Sequence, residues 1–146
     1  MSAESRGRPI TILMVEDNLA DVELTREALF EGELHNELHH VLDGPRALAF
    51  LRRESPFADA PRPGLILLDL NLPGMSGQEL FEILRADDSL RSIPIAVFTA
   101  SGSERDILWS EDNEAAAYIR KPIDFDQMVR VVRSVPGLKL SVVELG

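Results

Sequence analysis

The sequence predicts an α/β fold built on a parallel sheet, and two observations lead there. Short runs rich in Ile, Leu and Val are nearly continuous in their hydrophobicity, as strands buried on both faces are. Stretches with helical spacing alternate with them along the whole chain. Such alternation selects a parallel sheet with right-handed crossovers and a layer of helices on each face.

Five strands are expected, at Ile10 to Val15, Leu38 to Leu42, Leu65 to Leu68, Ile93 to Phe98 and Ala116 to Ile119. The first helix runs from Leu19 to Glu31, with Val22 and Leu29 one heptad apart, Asn18 as N-cap and Gly32 as terminator. A second opens at Asp43 or Gly44, with Pro45 in its first turn, and runs to about Arg53. Pro56, Pro61 and Pro63 then enforce a loop. A third spans Ser76 to Arg85, and a fourth opens at Ser103 with Glu104 in its first turn. Phe125, Met128, Val132 and Val135 mark one face of the last.

The 146 residues suit one domain. We expect an arm at residues 1–9, a folded unit at 10–134 and a short extension at 135–146, too brief for an output domain. The chain has no cysteine, which removes disulfides, thiolate metal sites and cysteine nucleophiles. No apolar run resembles a signal peptide or a membrane span, so a cytoplasmic protein without membrane contact is expected. Twenty-five acids against 15 bases give a net charge of −10, which repels a phosphate backbone and argues against nucleic-acid binding. His35, His39 and His40 do not suggest a metal cluster, because neighbours on a strand point to opposite faces.

In a parallel α/β sheet, ligands bind beyond the carboxyl ends of the strands. Glu16 and Asp17 follow strand one, Asp69 strand three, Thr99 strand four, and Lys121 strand five. Asp17 and Asp69 are 52 residues apart, as are Asp69 and Lys121, so only the fold brings them together. Three carboxylates in one crevice repel each other by roughly 4 kcal/mol per pair at about 4 Å and an effective dielectric near 20. Oxygen ligands without histidine or cysteine favour Mg²⁺ to relieve this, with Lys121 supplying further positive charge. A carboxylate beside such a metal and a lysine can attack a phosphoryl group and form an acyl phosphate. Asp69 is the candidate nucleophile; the Asn71 carbonyl faces the same metal, and Thr99 is placed to donate its hydroxyl to a phosphoryl oxygen. A phosphatase with an aspartyl nucleophile would need a second aspartate two residues on, where this chain has Asn71. The phosphate cradles of dinucleotide-binding and P-loop proteins are absent.

Val15-Glu16-Asp17-Asn18, Leu68-Asp69-Leu70-Asn71-Leu72-Pro73-Gly74, Thr99-Ala100-Ser101 and Tyr118-Ile119-Arg120-Lys121-Pro122 together resemble the receiver domains of two-component response regulators. The resemblance implies a flavodoxin-like, doubly wound sheet of strand order 2-1-3-4-5. It implies that Asp69 accepts phosphate from a histidine kinase, that Asp17, Asp69 and the Asn71 carbonyl bind Mg²⁺ with help from Glu16, and that Thr99 and Lys121 sense the phosphoryl group. Ala100 and Ser101 fall in the phosphoryl-binding segment, Ser101 and Asn71 flank the site where lifetime is set, and Tyr118 is the aromatic that turns inward behind Thr99. The bond from Lys121 to Pro122 is expected to be cis. Phosphoryl uptake from a donor and slow self-hydrolysis would be the only catalysis.

More narrowly, Glu16-Asp17-Asn18-Leu19-Ala20-Asp21-Val22-Glu23-Leu24, the loop from Pro56 to Pro63, and Lys121-Pro122-Ile123-Asp124-Phe125-Asp126-Gln127 are similar to single-domain regulators of phytochrome-type histidine kinases. That similarity implies a homodimer through helix four and strand five. One departure stands out: between those elements the family carries an apolar residue and glycine, whereas this chain has Asn113-Glu114, and Asn113 is expected to take the left-handed position. Two other roles fit the same residues, a scaffold that binds partners without phosphorylation and a phosphate sink for a shared kinase.

Overall fold

The computed structural model of the protein describes residues 10–31, 36–99, 109–121 and 124–134. The expectations for residues 1–9, Gly32, His35, Ala100, Ser101, the start of helix four, Pro122 and residues 135–146 lie outside them. In chain order the elements are β1 (Ile10–Val15), α1 (Leu19–Glu31), β2 (Asn36–Val41), α2 (Gly44–Leu51), β3 (Leu65–Asp69), α3 (Gly77–Ala86), β4 (Ile95–Thr99), α4 (helical at residues 109–112), β5 (Ala117–Arg120) and α5 (Phe125–Ser134). All strand pairings are parallel and the order is β2-β1-β3-β4-β5, as expected.

The two-residue period of the strands divides the core into two layers. Ile12 and Met14 of β1, Leu65 and Leu67 of β3, and Ala96 and Phe98 of β4 pack on one face with Val22 and Leu29 of α1 and Met128 and Val131 of α5. Leu13, Val15, Ile66, Leu68, Ile95 and Val97 pack on the other with Phe50 of α2 and Leu80, Phe81 and Leu84 of α3. Every residue of β3 and β4 is buried, which explains their unbroken apolar sequences.

Helix starts follow side-chain caps. Asn18 Oδ1 accepts from the Ala20 amide at 2.9 Å, Asp43 from Arg46 at 2.9 Å, Ser76 Oγ from Glu79 at 3.1 Å, and Asp124 from Gln127 at 2.9 Å. Ser76 is thus a cap outside α3 rather than its first residue. Elsewhere the boundaries shift for identifiable reasons. Pro94 holds β4 to a start at Ile95: it has no N–H for the ladder, its carbonyl accepts from Ile66, and Ile93 closes a turn onto Leu90. The edge strand β2 begins two residues before its apolar run because Asn36 is in register with Ile10, and it ends where Val41 meets Val15.

The left-handed residue after α4 is Glu114, at φ 56°, not Asn113. Asn113 extends the helical pattern, its amide donating to the Trp109 carbonyl at 3.0 Å and its side-chain amide to the same oxygen at 2.9 Å. The Glu114 amide then reaches Glu111 and the Ala115 amide reaches Ser110, the paired bonds of a Schellman closure. Arg53, at φ 55°, closes α2 in the same way, with Arg53 bonded to Phe50 and Glu54 to Ala49, which is why α2 ends at Leu51. A side chain at the left-handed position costs about 1 to 2 kcal/mol, partly offset by the lower entropy of a non-glycine unfolded chain. Glu114→Gly is therefore expected to stabilise the domain by about 0.5 to 1 kcal/mol in urea unfolding.

Candidate phosphoacceptor site

Each polar residue expected at the sheet edge except Tyr118 stands at a strand terminus or just beyond it. Asp69 and Thr99 are the last residues of β3 and β4, Glu16 follows β1, and Lys121 follows β5. Pairing between strands sets their depth: Asp69 is in register with Phe98, and Thr99 with Arg120. Glu16 is anchored by its backbone, its amide donating to the Val41 carbonyl at 3.0 Å and its carbonyl lying 2.7 Å from His40 Nε2.

The Lys121 ammonium joins these elements. It lies 2.5 Å from Glu16 Oε1, 2.8 Å from Asp21 Oδ2 and 3.0 Å from Asp69 Oδ2, and 5.1 Å from the centre of the Phe98 ring. Glu16, Asp69 and Thr99 are buried, Lys121 and Asp21 are half-buried, and Asp17 is exposed at the mouth. Asp69 Oδ1 accepts from the Asn71 amide at 2.9 Å, and the Asn71 side chain donates to Thr99 Oγ1 at 2.9 Å. Those two bonds tie strands β3 and β4 to one turn.

Burial is the largest influence on Glu16 and, with the neighbouring Asp69 carboxylate, pushes its carboxyl up to about 8 against the pull of Lys121 and the Asn18 amide. For Lys121, burial favours the neutral amine, but its close contacts with Asp21, Glu16 and Asp69 outweigh it and hold the ammonium above its ordinary range. Because the folded state keeps the Glu16 proton longer than the unfolded chain does, its contribution to stability is complete below the unfolded value of 4.5. That contribution fades as pH rises through about 8. Thermal melts in EDTA are expected to fall from pH 6 to pH 8, and Glu16→Gln is expected to flatten that slope.

Glu16, Asp17 and Asp69 each offer a carboxylate oxygen within 4.8 Å of the others. Glu16 Oε1 is buried and, despite its close ion pair with Lys121, accepts no hydrogen bond of good geometry. An all-oxygen set with an unsatisfied buried acceptor fits a hard divalent cation. The histidines take no part in such a cluster among the described residues. His39 pairs with Glu37 and packs on Phe50, and His40 holds the Glu16 carbonyl.

Tyr118 is in register with Val97 and packs, partly buried, against the core layer that includes Phe81 of α3. Asp21, which carried no role in the sequence reading, touches Lys121 directly. Its signal was its position: four residues after Asp17, one helical turn on. Trp109 is a packing residue, its ring 5.1 Å from Phe81 in an edge-to-face contact.

Comparison with known proteins agrees with this geometry. The response regulator receiver domain matches residues 12–133. The response regulator Rcp1 of Synechocystis sp. is 36% identical over 145 residues, covering 99% of this chain and 98% of Rcp1. Its Mn²⁺-bound crystal structure aligns with a TM-score of 0.75 at 35% identity, over 90% of this chain and 99% of that one. The bacteriophytochrome response regulator RtBRR aligns at a TM-score of 0.82 and 38% identity, over 94% and 84% of the two chains. The phosphorylated cyanobacterial phytochrome response regulator RcpA aligns at 0.73 and 40%, over 85% and 89%. Receiver domains act with histidine kinases and bind divalent metal. With its parallel sheet in the order β2-β1-β3-β4-β5 and the family match spanning residues 12–133, the chain belongs to the response regulator receiver domain family and is homologous to the response regulator Rcp1 and to the phytochrome response regulator RcpA.

Proposed function

We propose that this receiver domain is a phosphorylation switch in which Asp69 takes a phosphoryl group from a phosphohistidine of a phytochrome-type histidine kinase. The observation that carries the reading is the convergence on Asp69: a buried carboxylate at the end of β3, faced by Lys121 and by the acid pair Glu16 and Asp17. An Asp69 oxygen attacks phosphorus in line with the P–N bond. The new P–O bond forms as P–N breaks, and the imidazole nitrogen leaves with the bonding electrons. Lys121 balances charge on the phosphoryl oxygens, and Thr99, whose Oγ1 accepts from the Asn71 side chain, offers its own O–H to one of them. Glu16, Asp17, Asp69 and the Asn71 carbonyl would hold Mg²⁺, which supplies electrostatic stabilisation of the transferring group. Loss of the phosphoryl group is hydrolysis: water attacks phosphorus and inorganic phosphate leaves. Asn71 offers no carboxylate to activate that water, consistent with slow turnover.

The rest of the proposal concerns context. The folded unit is residues 10–134, the protein works in the cytoplasm, and output runs through protein contacts, including a homodimer formed by α4 and β5. Among the described residues no helix is long and apolar enough to cross a membrane. The likeness to RcpA, a phosphorylated phytochrome response regulator, supports the kinase assignment. Incubation with acetyl phosphate and Mg²⁺ is expected to give one phosphoryl group per chain, cleaved by hydroxylamine as acyl phosphates are. No such adduct, or one stable to hydroxylamine, would overturn the reading.

A further inference from the structure

We propose that Asp21 is a positioning residue that anchors Lys121 in the resting state and competes with the phosphoryl group for its ammonium, so that it sets how readily the switch is thrown. The inference rests on the phosphoacceptor reading of Asp69. An ammonium has three N–H bonds, and here two of them go to Asp21 and Asp69 while the Glu16 carboxyl closes the third side without a hydrogen bond of good geometry. A phosphoryl oxygen gains a well-directed donor from Lys121 only when one of these contacts opens. Glu16 and Asp69 are enclosed, whereas Asp21 stands at the outer side with its side chain 21% exposed, so Asp21 is the contact that can be exchanged for solvent.

The Asp21 backbone is held firmly. Its amide donates to the Asn18 carbonyl at 3.1 Å in the first turn of α1, and its carbonyl accepts from Thr25 Oγ1 at 2.9 Å. A carboxylate 2.8 Å from Lys121 on that backbone stabilises the unphosphorylated arrangement, and it adds a negative charge beside the place where a dianionic group must settle. Only a contact that differs between two states shifts their balance, and this one exists in the resting state.

The experiment titrates beryllofluoride in Mg²⁺ into the full chain by calorimetry. The variants are Asp21→Asn and Glu27→Gln, the latter removing the same charge from the exposed side of α1. Asp21→Asn is expected to bind about tenfold more tightly than wild type, the scale of one charge-assisted hydrogen bond, while Glu27→Gln stays within about twofold. Equal or weaker binding by Asp21→Asn, or an equal gain from Glu27→Gln, overturns the inference. A second readout concerns the resting state alone: ¹⁵N-detected Lys121 ammonium protons are expected to exchange with water faster in Asp21→Asn, and unchanged exchange overturns the anchor. Failure of wild type to bind beryllofluoride at all removes the phosphoacceptor reading and the competition with it. A normal wild type beside an unresponsive variant removes only the role of Asp21.

Discussion

Asp69→Asn is expected to abolish phosphoryl uptake and to stabilise the metal-free protein at the same time. The first effect follows because an amide oxygen is too weak a nucleophile to form the new P–O bond. The second follows from crowding. Asp69 is 3% exposed, its charge faces Glu16, and it is one of the causes that keep the Glu16 carboxyl protonated. An asparagine keeps one oxygen for the Asn71 amide and gives up the Oδ2 contact with Lys121, but it removes that repulsion, and Glu16 is then free to ionise against Lys121 in its place. We expect a gain of about 1 kcal/mol in EDTA, the size of one relieved repulsion beside an ion pair, and a smaller benefit from Mg²⁺ than wild type shows. Residual label on the variant would mean another acceptor. Unchanged or lower stability would mean that the carboxylates around Lys121 are not in net repulsion.

The parts of this molecule legible in sequence are those fixed by period and topology. β1, β3 and β4 announce themselves because both of their faces are buried, so apart from Thr11 near the start of β1 no polar residue interrupts them until the sheet edge. At that edge the first polar residue of β1, β3 and β4 is the candidate site residue, Glu16, Asp69 and Thr99 in turn, whereas Lys121 comes one place after the exposed Arg120 and is marked by the proline that follows it. β2 was displaced because an edge strand tolerates polar residues, and its register with β1 carries no signature in its own sequence. Asp21 was hidden by its ordinariness: an acid in the first turn of a helix is already accounted for by the helix dipole. Only a lysine a hundred residues away gives it another partner. Glu114 was misassigned for a similar reason, since asparagine is the commoner left-handed residue after glycine, yet here Asn113 is retained by bonds to Trp109.

Gly77→Ala is expected to cost about 3 kcal/mol or more and to impair phosphorylation with it. Gly77 opens α3 directly against the phosphoacceptor strand, its amide donating to the Leu70 carbonyl at 3.1 Å. A Cβ there would stand 2.2 Å from the Asp69 carbonyl oxygen, 2.6 Å from Leu70 Cα and 3.0 Å from the Asp69 carbonyl carbon. All three are backbone atoms, so no rotamer change relieves the contact. Either α3 withdraws, opening the Leu80, Phe81 and Leu84 layer, or the end of β3 moves and carries Asp69 away from Lys121. Gly74 is the informative contrast: its φ of 70° disfavours any side chain, but a Cβ there meets nothing within 4 Å. Gly74→Ala should therefore cost only the backbone strain, about 1 kcal/mol. Urea unfolding of the two variants tests the ranking, and acetyl phosphate labelling of folded Gly77→Ala tests the link to the site. If Gly77→Ala unfolds at the wild-type midpoint, the approach of α3 to Asp69 is not what seats the phosphoacceptor. If it is destabilised yet labels at the wild-type rate, α3 yields and the end of β3 holds.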